Sequence, residues 1–324
     1  MRGHWQAFLA ALIWSGSFVS IRILRQELGV YPMFVARWAP TAVLMVVIWL
    51  AFRPPAAERA RVFTRRGWWW LLWLGVFAAP FYHLPLNYGA AQVSAGVLGV
   101  LIATVPVQSA ALELLLRERR PSWRYLCGIG IAALGALVLV ASRHGLTPTG
   151  AAVAPRGFWH AVAELRFPLA VLLSAFAGAA YSLISKRATR EIDSLSAATL
   201  SVPVGVATVL WLLPGMAWAP FTRLSPNAWW ALAYLVLAAT VWAGILWVRA
   251  IQLLSPSQVT LYLYVTMLGS AVWGALFLGE RLPLGFWPAT ACVMLGMHLV
   301  NRERLAAAAA ASSAATVATG VAKR

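Results

Sequence analysis

The chain has 324 residues, of which 61% fall in the hydrophobic set and only 11% are charged, a balance far more apolar than that of a soluble domain. Its formal charge of +17 comes from short basic clusters between apolar runs and not from one amphipathic face, which excludes a nucleic-acid partner as the working reading. Eighteen tryptophans, many beside Arg or Pro where apolar runs end, suit indoles at headgroup depth, so a polytopic protein with the lipid bilayer as its main partner is expected.

The N-terminal "MRGHWQAFLAALIWSGSFVSIRILRQ" begins as a signal peptide does, but no small-x-small cleavage site follows, so it reads as a retained first span. A helix crossing hydrocarbon needs about 20 mostly apolar residues. Spans of that kind fall at 5–21, 31–52, 68–87, 95–116, 125–141, 167–185, 195–213, 228–248, 257–278 and 284–300, giving an all-α membrane protein of about ten helices. Cys127 and Cys292 lie singly inside apolar runs, which suggests neither a disulfide nor a metal site. The tail from 305 to 324 is low-complexity Ala, Ser and Thr and is expected to be a disordered cytoplasmic end.

With both termini on one side, the loops of that side carry 18 basic residues and the opposite loops, Arg22 and Arg25 among them, carry 7; Arg37 lies within a span. The bias predicts cytoplasmic termini in the inner (cytoplasmic) membrane.

"LLLRERRP" (114–121) and "LFLGERLP" (276–283) end the fourth and ninth spans. At an offset of 162, Leu114, Leu116, Glu118, Arg119 and Pro121 match Leu276, Leu278, Glu280, Arg281 and Pro283; at 160, Trp69, Trp70, Ala90 and Gln92 match Trp229, Trp230, Ala250 and Gln252. Two five-helix halves follow, 1–142 and 167–304, joined by an external linker at 143–166. Five is odd, so the second half starts on the opposite side of the membrane, the inverted repeat of many secondary transporters.

The sequence here resembles the EamA family of the drug/metabolite transporter superfamily. The resemblance rests on "WSGSFVSIRIL" (14–24), "FVARWAPTAV" (34–43), "LNYGAAQVSAGVLGVLIATVP" (86–106) and the repeated Glu-Arg ends. It implies a central cavity lined mainly by spans one, three and four with six, eight and nine, and the movement of small organic solutes, often outward. The proline usual in the fourth span of each repeat is present as Pro106 but replaced by Leu268 in the second half.

Several residues are candidates for the work. His83 in "APFYHLPLNY" stands between Pro80 and Pro85, with Asn87 on the same face and Tyr88 beside it, and prolines free carbonyls where a helix lines a cavity. Thr104 and Gln108 form a polar stripe whose repeat equivalents are Thr266 and Ser270, as a midplane site between the halves would have; interhelical hydrogen bonding is the other reading. Trp14, Phe18, Tyr181, Tyr262, Tyr264 and Trp273 suit apolar pocket walls. Glu118 with Arg119 and Pro121, and Glu280 with Arg281 and Pro283, read either as gate contacts or as interfacial caps before a turn, with Pro106 a possible hinge. Glu113 reads as a snorkelling partner of Arg117 or as a cavity carboxylate, and Arg37 as an anchor near the outer interface or an attractor of anions.

These residues point to a secondary transporter, in the exporting direction on family grounds, for an amino acid or amphipathic metabolite. His83, Glu113, Glu118 and Glu280 are the titratable groups open to proton coupling. A lipid carrier or flippase on the same fold is the alternative, and an intramembrane enzyme a remote one, since no G-x-S-x-G or H-E-x-x-H motif occurs. No nucleotide loop G-x-x-x-x-G-K-[ST] is found either, so no cofactor is expected.

Overall fold

The computed structural model describes residues 2–116, 122–141, 163–216, 219–254, 262–282 and 285–321, and the only regular secondary structure among them is helical. Each expected span holds a helix among the described residues, the spans expected at 257–278 and 284–300 beginning outside them: α1 (Arg2–Glu27), α2 (Val30–Ala51), α3 (Arg65–Gly89), α4 (Ala95–Leu115), α5 (Trp123–Ala141), α6 (Arg166–Ala188), α7 (Ser194–Ala207), α8 (Pro226–Ala233, Tyr234–Trp242 and Ala243–Leu253 in succession), α9 (Leu263–Leu278) and α10 (Phe286–Val321). Seven are long and apolar enough to cross a membrane, and α7 and α9 are shorter apolar helices, so the chain is a multi-pass membrane protein.

Local sequence explains the breaks. α3 kinks at Ala79, where Pro80 removes a donor, and α4 is interrupted at Ala103 and Thr104 just before Pro106. In α8 the stretch Tyr234–Trp242 is π-helical, and Thr240 Oγ1 donates to the Leu235 carbonyl within that wider turn. Three expectations need correction. α1 runs past residue 21 to Glu27, because nothing in "SIRILRQE" breaks a helix before Gly29, so Arg22 and Arg25 stand on the helix and not in a loop. The span expected at 195–213 is α-helical only to Ala207 and tightens to a 3₁₀ helix at Leu210–Gly215. Finally, α10 continues to Val321, so 305–321 is helical where disorder was expected; alanine has the highest helix propensity and needs no buried face to form one.

The packing obeys the repeat. α2 packs on α7, α4 on α9 and α5 on α10, each helix against its own counterpart; α1 packs on α8 and α9, and α6 correspondingly on α3 and α4. Small residues allow these approaches: a Cβ on Gly99 would strike the Ser270 hydroxyl across α4 and α9, and one on Gly296 would lie 2.5 Å from the Gly128 carbonyl across α10 and α5. Without a hydrophobic drive between helices in lipid, such close backbone packing holds the bundle.

One pair breaks the symmetry. α3 and α7 meet backbone to backbone, where a Cβ on Gly75 would overlap the Ser201 carbonyl and one on Gly205 the Gly75 carbonyl. Their repeat counterparts α8 and α2 do not close in this way, and a cavity of about 790 Å³ runs between them, with open space beside Gly244.

Candidate functional site

A second cavity, of about 400 Å³, lies deeper between the two halves and shares Tyr82, His83, Gly178 and Tyr181 with the larger one. Each falls in the size range of small-molecule sites. α1 offers Trp14, Phe18 and Ile21, at helical spacing on one face, and α4 offers Gly99, Ile102 and Ala103 at its break. The larger cavity reaches Phe52 at the end of α2 and Arg249 near the end of α8, the face on which α1 begins.

The opposite face is sealed. After α9 the chain turns through Gly279, whose φ of 62° is left-handed and suits glycine, and the Glu280 N–H donates to the Gly274 carbonyl at 3.2 Å. The turn sends the Glu280 side chain back into the protein, where it is 5% exposed. Its Oε2 accepts from the Ala95 N–H at 2.8 Å, and its Oε1 accepts from Arg22 Nε at 3.3 Å; Arg22 also donates to the Ala90 carbonyl. One carboxylate thus ties α9 to α1 and to the N-terminus of α4, where exposed N–H groups and the helix dipole favour negative charge. Gly274 leaves room for it, since a Cβ there would stand 2.6 Å from Glu280 Oε2. Arg25 donates to the Asn87 and Leu28 carbonyls, and Glu27 accepts from the Ser225 N–H and hydroxyl, which closes the same face over α3 and α8.

Arg37 lines the deeper cavity from α2 and is 8% exposed. Its Nη1 contacts His83 Nδ1 at 3.4 Å, its Nη2 donates to Thr240 Oγ1 at 3.4 Å, and its Cζ sits 5.2 Å from the Trp38 ring centroid. Arginine only donates, so His83 Nδ1 is the acceptor and the imidazole keeps its proton on Nε2. His83 is further boxed by the rings of Trp38 and Tyr82, at 4.6 and 4.7 Å.

Of the residues that sequence singled out, the structure brings Trp14, His83, Tyr181 and Thr266 to the deeper cavity. Trp14 is held there by its Nε1–H on the Ala239 carbonyl at 2.9 Å, and Thr266 donates to the Ala11 carbonyl at 3.1 Å. Phe18 and Arg37 line this cavity too, and most of the remaining candidates are engaged elsewhere. Asn87 donates to the Val30 carbonyl within the sealed face, and Tyr88 stacks on Phe167 at 5.1 Å. Gln108 donates to Thr104 Oγ1 at 2.9 Å and to the Leu172 carbonyl at 3.4 Å, so this stripe joins α4 to α6. Ser270 packs on Gly99 and donates to the Met267 carbonyl, and Tyr264 donates to the Met294 carbonyl of α10. Glu113 accepts from the Tyr125 hydroxyl at 3.0 Å. Pro106 stands in the first turn after the break in α4, and Arg281 is exposed. Glu118, Arg119, Pro121 and Pro283 lie outside the described residues. Sequence reasoning missed Arg22 and Trp38; the one available signal was a lone Arg inside the apolar "SIRIL" of the first span, which lipid would not tolerate unpaired.

The model of the EamA-like transporter family matches residues 1–141 and 166–302, nearly the whole chain. The chain belongs to this family. Its members' names point the same way: a "Probable terminal-alkyne amino-acid exporter" of Streptantibioticus cattleyicolor is 26% identical over 93% of this chain and 94% of its own length. "Uncharacterized transporter YdfC" of Bacillus subtilis is 27% identical over 64% of this chain and 62% of its own. A protein of known crystal structure superposes with a TM-score of 0.58 at 15% identity, covering 92% of this chain and 95% of that one, a likeness of fold alone. The EamA-like chain described here is therefore a small-molecule transporter, with a cavity between its halves open on one face and closed on the other.

Proposed function

We propose that this transporter exports a small amphipathic organic solute, such as an amino acid, across the cytoplasmic membrane by alternating access, with both termini in the cytoplasm. The observation that carries the reading is the asymmetric cavity, open between α2 and α8 on the face where α1 begins and shut on the other by the buried Arg22–Glu280 pair. The basic loops favour a cytoplasmic open face, and an exporter waiting for cargo presents its cavity inward. The amino-acid exporter among the relatives supports the solute class. Rocking one half against the other would part α3 from α7 on the closed side and bring α8 onto α2 on the open one, exchanging the two faces.

The test is efflux from proteoliposomes loaded with a mixed pool of labelled amino acids and amphipathic metabolites, at two pH gradients. Faster loss of at least one solute than from protein-free vesicles is expected, and a bulky Gly244→Trp replacement in the open mouth should block it. Movement of labelled lipid alone would reject the small-solute reading in favour of a lipid carrier.

A further inference from the structure

We infer that Arg37 is the recognition point for an anionic head on the cargo, and that the cargo is a monocarboxylate carrying an apolar or aromatic body; the inference rests on the transport role proposed above.

Arg37 is a buried cation with nothing of opposite charge to hold it. The Arg22–Glu280 ion pair does not include it, and among the described residues the neighbours of Arg37 are neutral: His83, Thr240, the Trp38 ring and Tyr82. Both of its hydrogen bonds are long, at 3.4 Å, and its buried Nε has no partner. A buried guanidinium normally forms short charge-assisted bonds to carboxylate, so this one is left with donor capacity unused.

Two further donors on residues that line the cavities are in the same condition. The hydroxyl of Ser17, which lines the same cavity, and the indole N–H of Trp38, which lines the adjoining one, are buried without partners. Each unsatisfied polar group costs free energy that a ligand bringing acceptor atoms would recover. Acceptors on one small group, with one negative charge, describe a carboxylate. A dianion is disfavoured because no second Lys or Arg lines the deeper cavity, and an amine because Arg37 would repel it. The remaining walls, Trp14, Phe18, Leu86 and Ile102, suit a hydrocarbon or aromatic body.

Three probes of one skeleton separate the possibilities: 3-phenylpropionate, phenylalanine and phenethylamine, titrated by equilibrium binding onto the purified full chain in micelles. The acid and the amino acid should bind and the amine should not. Arg37→Gln should weaken the acids by about tenfold, the scale of one lost charge-assisted bond, and erase the preference over the amine. Arg37→Lys, which keeps the charge, should retain that preference, a result that loss of fold would not give. Binding of the amine as tightly as the acids, failure of every acid to bind wild type, or unaltered acid binding by Arg37→Gln would overturn the assignment. Efflux of a neutral or cationic solute that Arg37→Gln leaves intact would also overturn it while the transporter reading survives. Acid binding without movement of any solute would sink transport and leave the Arg37 site standing.

Discussion

Arg22 and Arg37 lie in the same half of the repeat, one on α1 and one on α2, and are almost equally buried, at 6% and 8% exposure, yet they are held in opposite ways. Arg22 has a carboxylate and a backbone carbonyl and sits in the seal between α1, α4 and α9; Arg37 has only neutral neighbours among the described residues and sits on the cavity. A cation in an apolar bundle is expensive unless paired. The pair at the seal is a buried lock between α1, α4 and α9, which under the alternating access proposed above would open during transport, and the solitary charge at the cavity is the group proposed above to meet the cargo.

The largest effect should come from breaking the lock. Glu280→Gln leaves Arg22 buried without its counter-charge, and a loss of about 3–5 kcal/mol in unfolding free energy is expected. Denaturant or thermal unfolding in micelles measures it, and the double replacement Arg22→Met with Glu280→Leu should recover most of the loss. An additive double variant would show that the two side chains do not depend on each other.

Next in size is the contrast between the closed and the open sides. Gly75→Ala forces a Cβ into the backbone of α7 and should cost about 1–3 kcal/mol. Gly244→Ala, beside open space on α8, should be neutral or gain up to about 1 kcal/mol in helix propensity. Equal effects at the two glycines would mean that α2 and α8 are in fact as tightly closed as α3 and α7.

A smaller stability change is expected at Arg37. Arg37→Gln removes an unpaired buried cation, so its unfolding midpoint should match or slightly exceed that of wild type, whereas Arg22→Gln should fall well below. A large fall in the Arg37 variant would make it a second lock and not a receptor for cargo.

The smallest effect is reserved for His83. It accepts from Arg37 through Nδ1, a role that Asn can fill with its side-chain oxygen, so His83→Asn should leave the pH profile of efflux unshifted. A flattened profile in that variant would instead make His83 the proton carrier.

Sequence and structure divide unevenly over these features. The aromatic positions Trp14 and Tyr181 were legible as pocket walls because an aromatic on the inward face of a span stays on that face once the helix forms. Gln108 and Thr104 were legible only as two open readings, because a polar stripe at helical spacing looks the same whether it faces a cavity or bonds to Leu172 of a neighbouring helix, the contact the structure shows. Glu280 was marked as gate contact or interfacial cap; the structure places it, buried, after a turn through Gly279 and ties it to Arg22, a partner 258 positions away that no local spacing announced.

The sequence by itself determined the ten apolar helices and the doubled five-helix plan, since apolar length and repeated spacing act locally, whereas prolines break α3 at Pro80 and α4 before Pro106 but not at Pro40, Pro85 or Pro203. Only the tertiary structure decided which polar groups meet: Glu280 with an arginine 258 positions away, and Arg37 with His83 and Thr240, 46 and 203 positions away, but with no acid. The Glu280–Arg22 and Arg37–Thr240 contacts cross between the halves and depend on how one leans against the other, and Arg37 meets His83 through the packing of α2 on α3. A lean between packed halves is a property of their shared surface, and no stretch of chain carries it alone.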